Sequence, residues 1–410
     1  MEQNLRTHAD AIIQASIQAV LPDNAVRRTL EGLEFPGRVV LVATGKAAWQ
    51  MAKAAYDVLG SRIDSGVVVT KYDHVMGPIG NFELCEAGHP VPDENSFAGT
   101  GKALRAVEGL TEKDTVLFLL SGGGSALFEQ PLVSGEELQD ITRQLLACGA
   151  DIVEMNTIRK RLSGVKGGRF AEHCAPAKVL SIVLSDVLGD PLDMIASGPA
   201  YPDSTTCEQA LAIAKKYDLK LSETAWALLA RETPKALDNV ETHINGSVTE
   251  LCLAAAKAAE ALGYDAVLLT DQLCCQAREA GSFLGSILKT YAGMGQKVAF
   301  IAGGETVVKL TGKGLGGRNQ ELALSAAAVI DGIPSTAVFS VGSDGTDGPT
   351  DAAGGYVDSH TAGALRAQGI SIHQVLQDND AYHALQAVGG LVVTGPTGTN
   401  VNDVAVALLG

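Results

Sequence analysis

The sequence lacks the features that would place the protein in a membrane or outside the cell. No stretch approaches the roughly 18 uninterrupted apolar residues that a membrane-spanning helix requires. Residues 1–20 carry acidic and polar side chains every few positions, unlike the charged start and apolar run of a signal peptide. The 7 cysteines are odd in number and scattered without C-x-x-C spacing, which predicts reduced thiols. We therefore expect a cytoplasmic protein.

Positive charge is also scarce. The chain has 31 Lys and Arg residues against 47 Asp and Glu, a formal net charge of −16. Arg159-Lys160-Arg161 is its longest run of basic residues. Nucleic-acid binding requires a basic surface that releases counterions, so we expect no nucleic-acid partner. A short basic cluster is better suited to one small anion.

Length and pattern indicate the fold class. A chain of 410 residues exceeds the roughly 250–300 residues at which single cores stop growing, so two domains are expected. Short β-branched runs alternate with helical patterns rich in Ala and Leu, which predicts α/β domains with a mostly parallel sheet. Residues 233–246 are polar and form the best linker candidate. We predict domains over 1–240 and 241–410, although the first helix could pack on either.

The same patterns predict individual elements. The predicted strands are 38–43, 66–70, 115–120 and 178–185 in the first domain, and 265–270, 297–302, 336–341 and 391–394 in the second. The predicted helices are 46–58, 93–107, 134–148, 247–262 and 319–330.

Glycine is abundant, 46 of 410 residues, and clusters where predicted strands end. Ligands of open parallel sheets bind beyond those ends. Ser121-Gly122-Gly123-Gly124-Ser125 follows the apolar strand TVLFLL, and its N–H groups could receive an anion. A tight strand-to-helix turn is the alternative. The glycine spacing does not match the dinucleotide fingerprint, so phosphate is a better ligand than NAD.

Thr44-Gly45-Lys46-Ala47 also joins a strand to a helix. It is not a P-loop, because Val40 stands where that motif has its first glycine and Ala47 where it has Ser or Thr. Lys46 nevertheless offers a point charge to a phosphate or carboxylate. The alternative is a solvated lysine at a helix start.

Two further segments of the first domain carry charge. Residues 159–169 include Arg159, Lys160, Arg161, Lys166 and Arg169, which could bind an anion or form a solvated helix face.

Three aspartates follow the predicted strand at 178–185: Asp186, Asp190 and Asp193. Carboxylates in this position can hold Mg²⁺ or accept a hydroxyl proton. Asp190 could instead cap a helix that starts at Pro191. His89, in Gly88-His89-Pro90, could contact substrate or serve as a turn residue.

The second domain has its own glycine-rich loops. Residues 314–321 lead from glycines into a helix, and Arg318 there could stabilise charge on a transferring phosphoryl group or pair with Glu321. Asp344, Asp347 and Asp351 could bind a divalent cation in a loop unlike an EF-hand, or form metal-free Asx turns. Residues 394–403 could contact ribose or phosphate, or support the other loops.

Eight motifs follow one another along the chain: TGKA, SGGGSAL, NTIRKRLSGVKGGR, LSDVLGDPLDMIASGP, GGETVV, GGRNQELAL, GSDGTDGPTDAAG and TGPTGTNVND, in this order. With this series, the chain resembles glycerate 2-kinases of the MOFRL type from about Val40 to its end. Some members of that family carry an older label, hydroxypyruvate reductase. The resemblance implies two α/β domains, one Rossmann-like with a mostly parallel sheet and a smaller MOFRL-type domain with its MOFRL region at about 297–405, enclosing the active cleft. It also implies ATP and Mg²⁺ as cofactors and D-glycerate as substrate.

The resemblance also implies roles for individual residues. Lys46 would hold the substrate carboxylate or the transferring phosphate, Arg318 would neutralise the γ-phosphoryl, and Asp186 and Asp190 are candidates for general base or metal ligand. The other expected contacts are Gly122, Gly123, Gly124, Ser125, Gly316, Gly317 and Asn319 with ATP, Arg159, Lys166 and Asp347 with substrate, and Asp344 and Asp351 with metal. Expected partners are D-glycerate and ATP, and a homodimer is a candidate assembly.

Two other functions remain open at this point. An NAD(P)H-dependent hydroxypyruvate reductase would need a strand followed by G-x-G-x-x-G/A and a ribose-binding acid, which we do not find in the sequence. A non-catalytic glycerate-binding protein would show no turnover, and Lys46 and Arg318 would be dispensable for its affinity.

Overall fold

The computed structural model describes residues 2–185, 189 and 192–410, so Asp186 and Asp190 lie outside the described residues. The chain divides into two compact units, residues 22–245 and residues 1–21 together with 246–410. The prediction assigned residues 1–21 to the first domain. The structure groups them with the C-terminal residues instead.

The α-helices are α1 Glu2–Ala19, α2 Pro22–Leu30, α3 Ala48–Leu59, α4 Glu94–Ala106, α5 Gly124–Leu127, α6 Gly135–Ala147, α7 Ile152–Arg161, α8 Arg169–Cys174, α9 Cys207–Lys216, α10 Glu223–Leu229, α11 Val248–Ala261, α12 Ala277–Tyr291, α13 Arg318–Ile330, α14 Thr361–Ala367, α15 Ile372–Asp378 and α16 Ala381–Ala387. The strands are β1 Val39–Thr44, β2 Ser65–Lys71, β3 Glu83–Ala87, β4 Thr115–Leu120, β5 Lys178–Leu184, β6 Val240–Gly246, β7 Asp265–Leu273, β8 Val298–Gly304, β9 Thr336–Gly342, β10 Gly354–Asp358, β11 Leu391–Val392 and β12 Asp403–Leu409. No helix among the described residues is long and apolar enough to span a membrane.

The sheet of the unit 22–245 has the strand order β3-β2-β1-β4-β5-β6. Strand β1 pairs in parallel with β2 on one side and with β4 on the other. The chain therefore moves outward from β1 in one direction and later continues from β4 in the other. Ligands of such sheets bind beyond the carboxyl ends of the strands at this change of direction. The loops after β1 and β4 occupy that position.

Strands β1 and β4 form the centre of this unit and are buried along their whole length. Their side chains alternate between two apolar clusters, one on each face of the sheet: Val40 and Phe118 belong to one cluster, Leu41 and Leu117 to the other. Each fully buried side chain of this size contributes about 1.5–3 kcal/mol. The two-sided core fixes the strand ends, and so it also fixes the starting points of both loops.

The second sheet is mixed and has the order β11-β10-β9-β12-β8-β7. Strand β12 lies antiparallel between β8 and β9, and the register places Asp403 beside both Gly304 and Gly342. Because the neighbours run in the opposite direction, the ends of β8 and β9 meet the start of β12. Helix α1 contributes buried Ile12 and Ile13 to this unit and packs on α11.

The structure corrects two expectations for the chain organisation. Residues 233–246 were predicted as a linker, but 240–246 form β6 and pair at the edge of the first sheet. The segment VETHING is mostly polar and half-exposed, as an edge strand can be, and its composition alone does not distinguish it from a loop. The final strand β12 was not predicted, although its seven residues are all buried.

Candidate active site

The loops after β1 and β4 are joined by hydrogen bonds. Lys46 N donates to Gly122 O at 2.9 Å, and Ala47 N donates to Ser121 Oγ at 3.1 Å. Gly45 has a φ of 120°, and a Cβ there would lie 2.2 Å from Ser121 Oγ. Only glycine therefore allows this close approach. The structure brings the predicted Lys46 and the predicted glycine loop together.

Gly123 lies between the side chains of Lys46 and His89. A Cβ on Gly123 would be 3.2 Å from Lys46 Cγ and 3.2 Å from His89 Nε2, and φ at this position is 88°. His89 belongs to the loop after β3 and is half-buried. Burial lowers the pKa of His89, and electrostatic interactions with Lys46, Lys71 and His74 lower it further. A cation and a neutral imidazole thus flank the same glycine.

Ser125 is held by a chain of hydrogen bonds behind the glycine loop. Its hydroxyl lies 3.2 Å from Ser197 Oγ, which donates to Asn156 Oδ1 at 2.9 Å. Arg159 Nη2 donates to Ser125 O at 3.0 Å, and burial lowers the pKa of Arg159. Arg159 Nε is buried and has no partner in the described part of the chain. Arg159 therefore retains a donor for a ligand next to Ser125.

The other cations of this segment form a buried ionic network. Lys166 is fully buried, and its Nζ donates to Glu129 Oε2 at 2.5 Å and to Phe128 O at 3.1 Å. Lys160 is also fully buried and lies 3.0 Å from Asp203. Burial lowers the pKa of Lys166 to about 8, although Glu129 favours its charged form. Lys166 Nζ therefore binds protein groups in the interior. This position does not favour the substrate contact that was predicted for Lys166.

Arg318 begins helix α13 in the second unit and binds two carboxylates. Its Nε and Nη2 donate to Asp403 at 2.6 and 3.0 Å, while Nη1 donates to Glu305 at 2.9 Å. Burial alone would lower the pKa of Arg318, but Asp403 and Glu305 outweigh it and raise the pKa above its ordinary value. The alternative partner, Glu321, pairs with Arg278 instead.

Carboxylates gather where β8, β9 and β12 meet. A Cβ on Gly342 would lie 3.3 Å from Asp344 Oδ1 and 3.4 Å from Asp403 Oδ1. Burial raises the pKa of Asp403, whereas the hydrogen bonds from Arg318 oppose that rise. Asp344 is half-buried and accepts a hydrogen bond from Thr346 N at 2.9 Å. Asp344 therefore faces the same corner as the Arg318 pair.

Asp347 caps helix α13 from outside the helix. Its carboxylate accepts from Asn319 N at 3.1 Å and from Gln320 N at 2.9 Å. Gly317, the residue before the helix, leaves room for it, because a Cβ there would lie 2.3 Å from Asp347 Oδ1. Burial raises the pKa of Asp347 to about 6. Asn319 is buried, and its side-chain oxygen accepts a hydrogen bond from Ser340 Oγ. Asp347 and Asn319 therefore both stabilise the first turn of α13.

Asp351 lies at the exposed end of the same loop. Its Oδ1 accepts a hydrogen bond from Tyr382 Oη at 2.8 Å. Across the described ranges, neither Asp351 nor Asp344 belongs to a group of three His, Cys, Asp or Glu ligand atoms within 4.8 Å of one another. Their predicted metal role stays a prediction.

A cavity of about 860 Å³ opens beside Arg318 in this unit. Glu305, Thr306 and Gly316 line it together with the exposed apolar side chains of Val307 and Leu310. Thr306 Oγ1 is buried and lacks a partner among the residues described. Ligand pockets are about 300–1,000 Å³ in volume and combine apolar walls with a few polar groups. The cavity has the size and lining to hold a nucleotide.

Comparison with known proteins identifies the family. Residues 8–230 match a domain of unknown function, DUF4147, and residues 298–403 match the MOFRL family. A D-glycerate 2-kinase of Thermotoga maritima is 55% identical over 99% of both chains. This chain belongs to the glycerate 2-kinase family.

Another relative and a solved structure agree with this family. A glycerate 2-kinase of Pyrococcus horikoshii is 42% identical, over 100% of this chain and 97% of its own. The crystal structure of a glycerate kinase from Thermotoga maritima superposes with a TM-score of 0.95 at 55% identity and covers 100% of both chains. The predicted family and the two α/β sheets are therefore confirmed.

The geometry adds three residues that the sequence did not assign. Asp403 stands at the end of a motif noted for ribose or phosphate contact, but its partner Arg318 is 85 positions away. Glu305 was noted only as part of a strand-end motif. His89 was left between a turn and a substrate contact. The one sequence signal for Asp403 was its position as a polar residue directly after a glycine-rich loop. Its pairing with Arg318 could not be seen, because a single sequence does not show which strands are neighbours.

Proposed function

We propose that this protein is a D-glycerate 2-kinase that transfers the terminal phosphoryl group of ATP to the 2-hydroxyl of D-glycerate. The observation that carries the proposal is the near-complete alignment with the Thermotoga maritima D-glycerate 2-kinase. The two glycine-rich sites support it, because each presents a cation and backbone donors to anionic ligands.

Lys46 would pair with the glycerate carboxylate or with the transferring phosphate. It follows β1 at the change of direction in the sheet, and its backbone is tied to the glycine loop. The N–H groups of Gly122, Gly123 and Gly124 would face phosphate oxygens, and Arg159 Nε would add a charged donor. We no longer expect Lys166 to touch substrate, because it is fully buried against Glu129. Its role is to hold the polypeptide behind the loop.

ATP would fit the cavity beside Arg318. The apolar side chains of Val307 and Leu310 suit a base, and Thr306 Oγ1, which lacks a partner in the described structure, suits a polar group of the nucleotide. The glycine loop ending at Gly316 and Gly317 would lie against the phosphates. When bound, ATP supplies the phosphoryl group to be transferred.

Mg²⁺ would find oxygen ligands at the same corner, because it prefers carboxylates and phosphate oxygens. Glu305 and Asp344 are the described carboxylates that we propose for it, and both line the cavity. Asp403 is less suited, because both of its oxygens accept hydrogen bonds from Arg318. Asp351 is exposed and bonded to Tyr382, which makes it the weaker of the two predicted ligands.

Arg318 would neutralise charge on the transferring phosphoryl group. Phosphoryl transfer depends mainly on positioning and electrostatic stabilisation, and a guanidinium held by two carboxylates keeps a fixed direction. Asp186 and Asp190 remain proposed as general base or metal ligand. Asp347 and Asn319 would act indirectly, by fixing the start of α13.

The reaction is tested by its product. The purified protein is incubated with D-glycerate, ATP and MgCl₂, and phosphorus NMR identifies the product; we expect 2-phosphoglycerate. 3-Phosphoglycerate would correct the position of transfer, and no phosphorylated product would refute the proposal. L-Glycerate serves as the stereochemical control, and omission of MgCl₂ tests the metal. NADH consumption with hydroxypyruvate, measured in parallel, would instead support a reductase.

A further inference from the structure

His89 reaches the glycine loop from a distant part of the sheet. It follows β3, an edge strand separated from β4 by β2 and β1 in the strand order. A Cβ on Gly123 would nevertheless lie 3.1 Å from His89 Cδ2 and 3.2 Å from Nε2. The loop after β3 therefore extends past the ends of β2 and β1, and it places the imidazole at the crevice where Lys46 stands.

The imidazole has no described protein partner. Among the residues that the structure describes, none forms a hydrogen bond with its ring nitrogens. The two serines of the glycine loop already have partners: Ser121 Oγ accepts a hydrogen bond from Ala47 N, and Ser125 Oγ forms one with Ser197 Oγ. A half-buried imidazole without a partner is available to a ligand in the crevice.

The proposed substrate places two groups next to each other. In D-glycerate, the 2-hydroxyl is on the carbon bonded to the carboxylate. Any residue that accepts the hydroxyl proton must therefore lie close to the residue that binds the carboxylate. Lys46 and His89 meet this requirement, because Lys46 Cγ and His89 Nε2 would each lie 3.2 Å from a Cβ built on Gly123.

We propose that His89, rather than Asp186 or Asp190, accepts the proton of the substrate 2-hydroxyl while Lys46 holds the adjacent carboxylate. The two aspartates then remain candidates for metal ligand. This inference rests on the proposed kinase function. The hydroxyl oxygen forms a bond to the terminal phosphorus of ATP as its proton passes to a ring nitrogen of His89. The bond from that phosphorus to the bridging oxygen breaks, and its electron pair leaves on ADP. The imidazolium afterwards releases the proton to water.

The surroundings of His89 keep its imidazole neutral and able to accept a proton. The described charged or titratable groups that face it are Lys46 after β1, Lys71 at the end of β2 and His74 in the following turn. Burial disfavours protonation of the imidazole, and all three neighbours act in the same direction. The pKa of His89 therefore lies below its ordinary value. The catalytic rate constant should therefore fall only in acid, as the imidazole becomes protonated.

The test compares His89→Gln with His173→Gln. We expect His89→Gln to lower kcat by about 10²-fold or more, the usual contribution of a general base, with the KM for D-glycerate within about threefold. The acid limb of the kcat–pH profile should disappear in this variant. His173→Gln, a substitution of an exposed histidine on α8 that takes no part in the proposed site, should leave kcat unchanged. Added imidazole should partly restore the rate of His89→Ala.

Several results would overturn the inference. These are a kcat of His89→Gln within about threefold of the parent protein, a lowered kcat with an unchanged acid limb, and a parent kcat that is flat from pH 5 to pH 8. The last measurement needs no variant, so it decides even if His89→Gln fails to fold. Phosphorus NMR of the unmodified protein separates the two proposals: no 2-phosphoglycerate refutes the kinase, whereas its formation without an effect of His89 refutes only the base.

Discussion

Arg318 donates two hydrogen bonds to Asp403, from Nε to Oδ2 at 2.6 Å and from Nη2 to Oδ1 at 3.0 Å. The sheet register places Asp403 between the last residues of β8 and β9. A two-point contact fixes the plane of a guanidinium. The sheet therefore determines the direction of the third nitrogen, Nη1, which donates to Glu305. Asp403 is therefore a positioning residue for Arg318.

Asp403→Asn should lower kcat by about 10- to 100-fold, because the amide cannot accept both hydrogen bonds and the guanidinium would shift. Steady-state kinetics with D-glycerate and ATP measure the effect. Asp331→Asn is the matched control, since Asp331 pairs with Arg366 at 2.7 Å on the exposed surface. We expect the control to retain full activity. Equal kinetics in the two variants would remove Asp403 from the site.

Lys46→Met should lower kcat/KM for D-glycerate by about 10²-fold or more, the scale expected when one charged transition-state contact is lost. The substitution keeps most of the side-chain volume beside Gly123. Lys53→Met provides the comparison, because Lys53 is half-buried on α3 and forms an ion pair only with Asp57 among the described residues, at 2.6 Å. Near-normal turnover in Lys46→Met would exclude a role for this lysine in the reaction.

Lys166→Met should destabilise the fold by about 3–5 kcal/mol, because Glu129 would remain buried with an unpaired charge. Urea unfolding measures the change. The double variant Lys166→Met with Glu129→Leu should recover much of the loss, since both charges are then removed. If Lys166 contacted substrate instead, the folded variants would show a raised KM for D-glycerate with little loss of stability.

The stability of the protein should depend on Asp347 in mild acid. Burial raises the pKa of Asp347 to about 6, whereas the ordinary value is 3.8. The folded chain therefore binds this proton more tightly than the unfolded chain. The resulting stabilisation is fully present below pH 3.8 and is lost as the pH rises to about 6.

Unfolding free energies of the parent protein and of Asp347→Asn, measured between pH 4 and pH 7, would show this effect. The parent should lose on the order of 1–3 kcal/mol relative to the variant as the pH rises, because asparagine does not titrate. A difference that stays constant over this range, or that grows in the parent's favour, would contradict the raised pKa.

The sequence predicted the central elements and the loops that follow them. The strand predicted at 115–120 has those bounds in the structure, and Lys46 lies directly beside the predicted Gly122–Gly124 loop. These features depend on local signals, namely apolar runs and the glycines that end them. Such signals lie within a few residues of each other and need no knowledge of the fold.

Features that depend on distant contacts were not predictable in this way. In the sequence, Lys166 resembles a surface cation, but the structure pairs it with the buried Glu129. His89 resembles a turn residue, but its loop crosses the ends of two strands. Asp347 looked like a ligand-binding carboxylate, but the first turn of α13 uses both of its oxygens. In each case, the partner comes from another element, and only the tertiary structure brings the two together.

The grouping of α1 with residues 246–410 affects how the chain can acquire its structure during synthesis. The ribosome produces α1 before the unit 22–245, yet α11, on which α1 packs, follows the whole of that unit. The stripe of Ala9, Ile12 and Ile13 therefore emerges without its native cover. The unit 22–245 is continuous in sequence and can fold in the meantime. Helix α1 is thus synthesised well before the residues on which it packs.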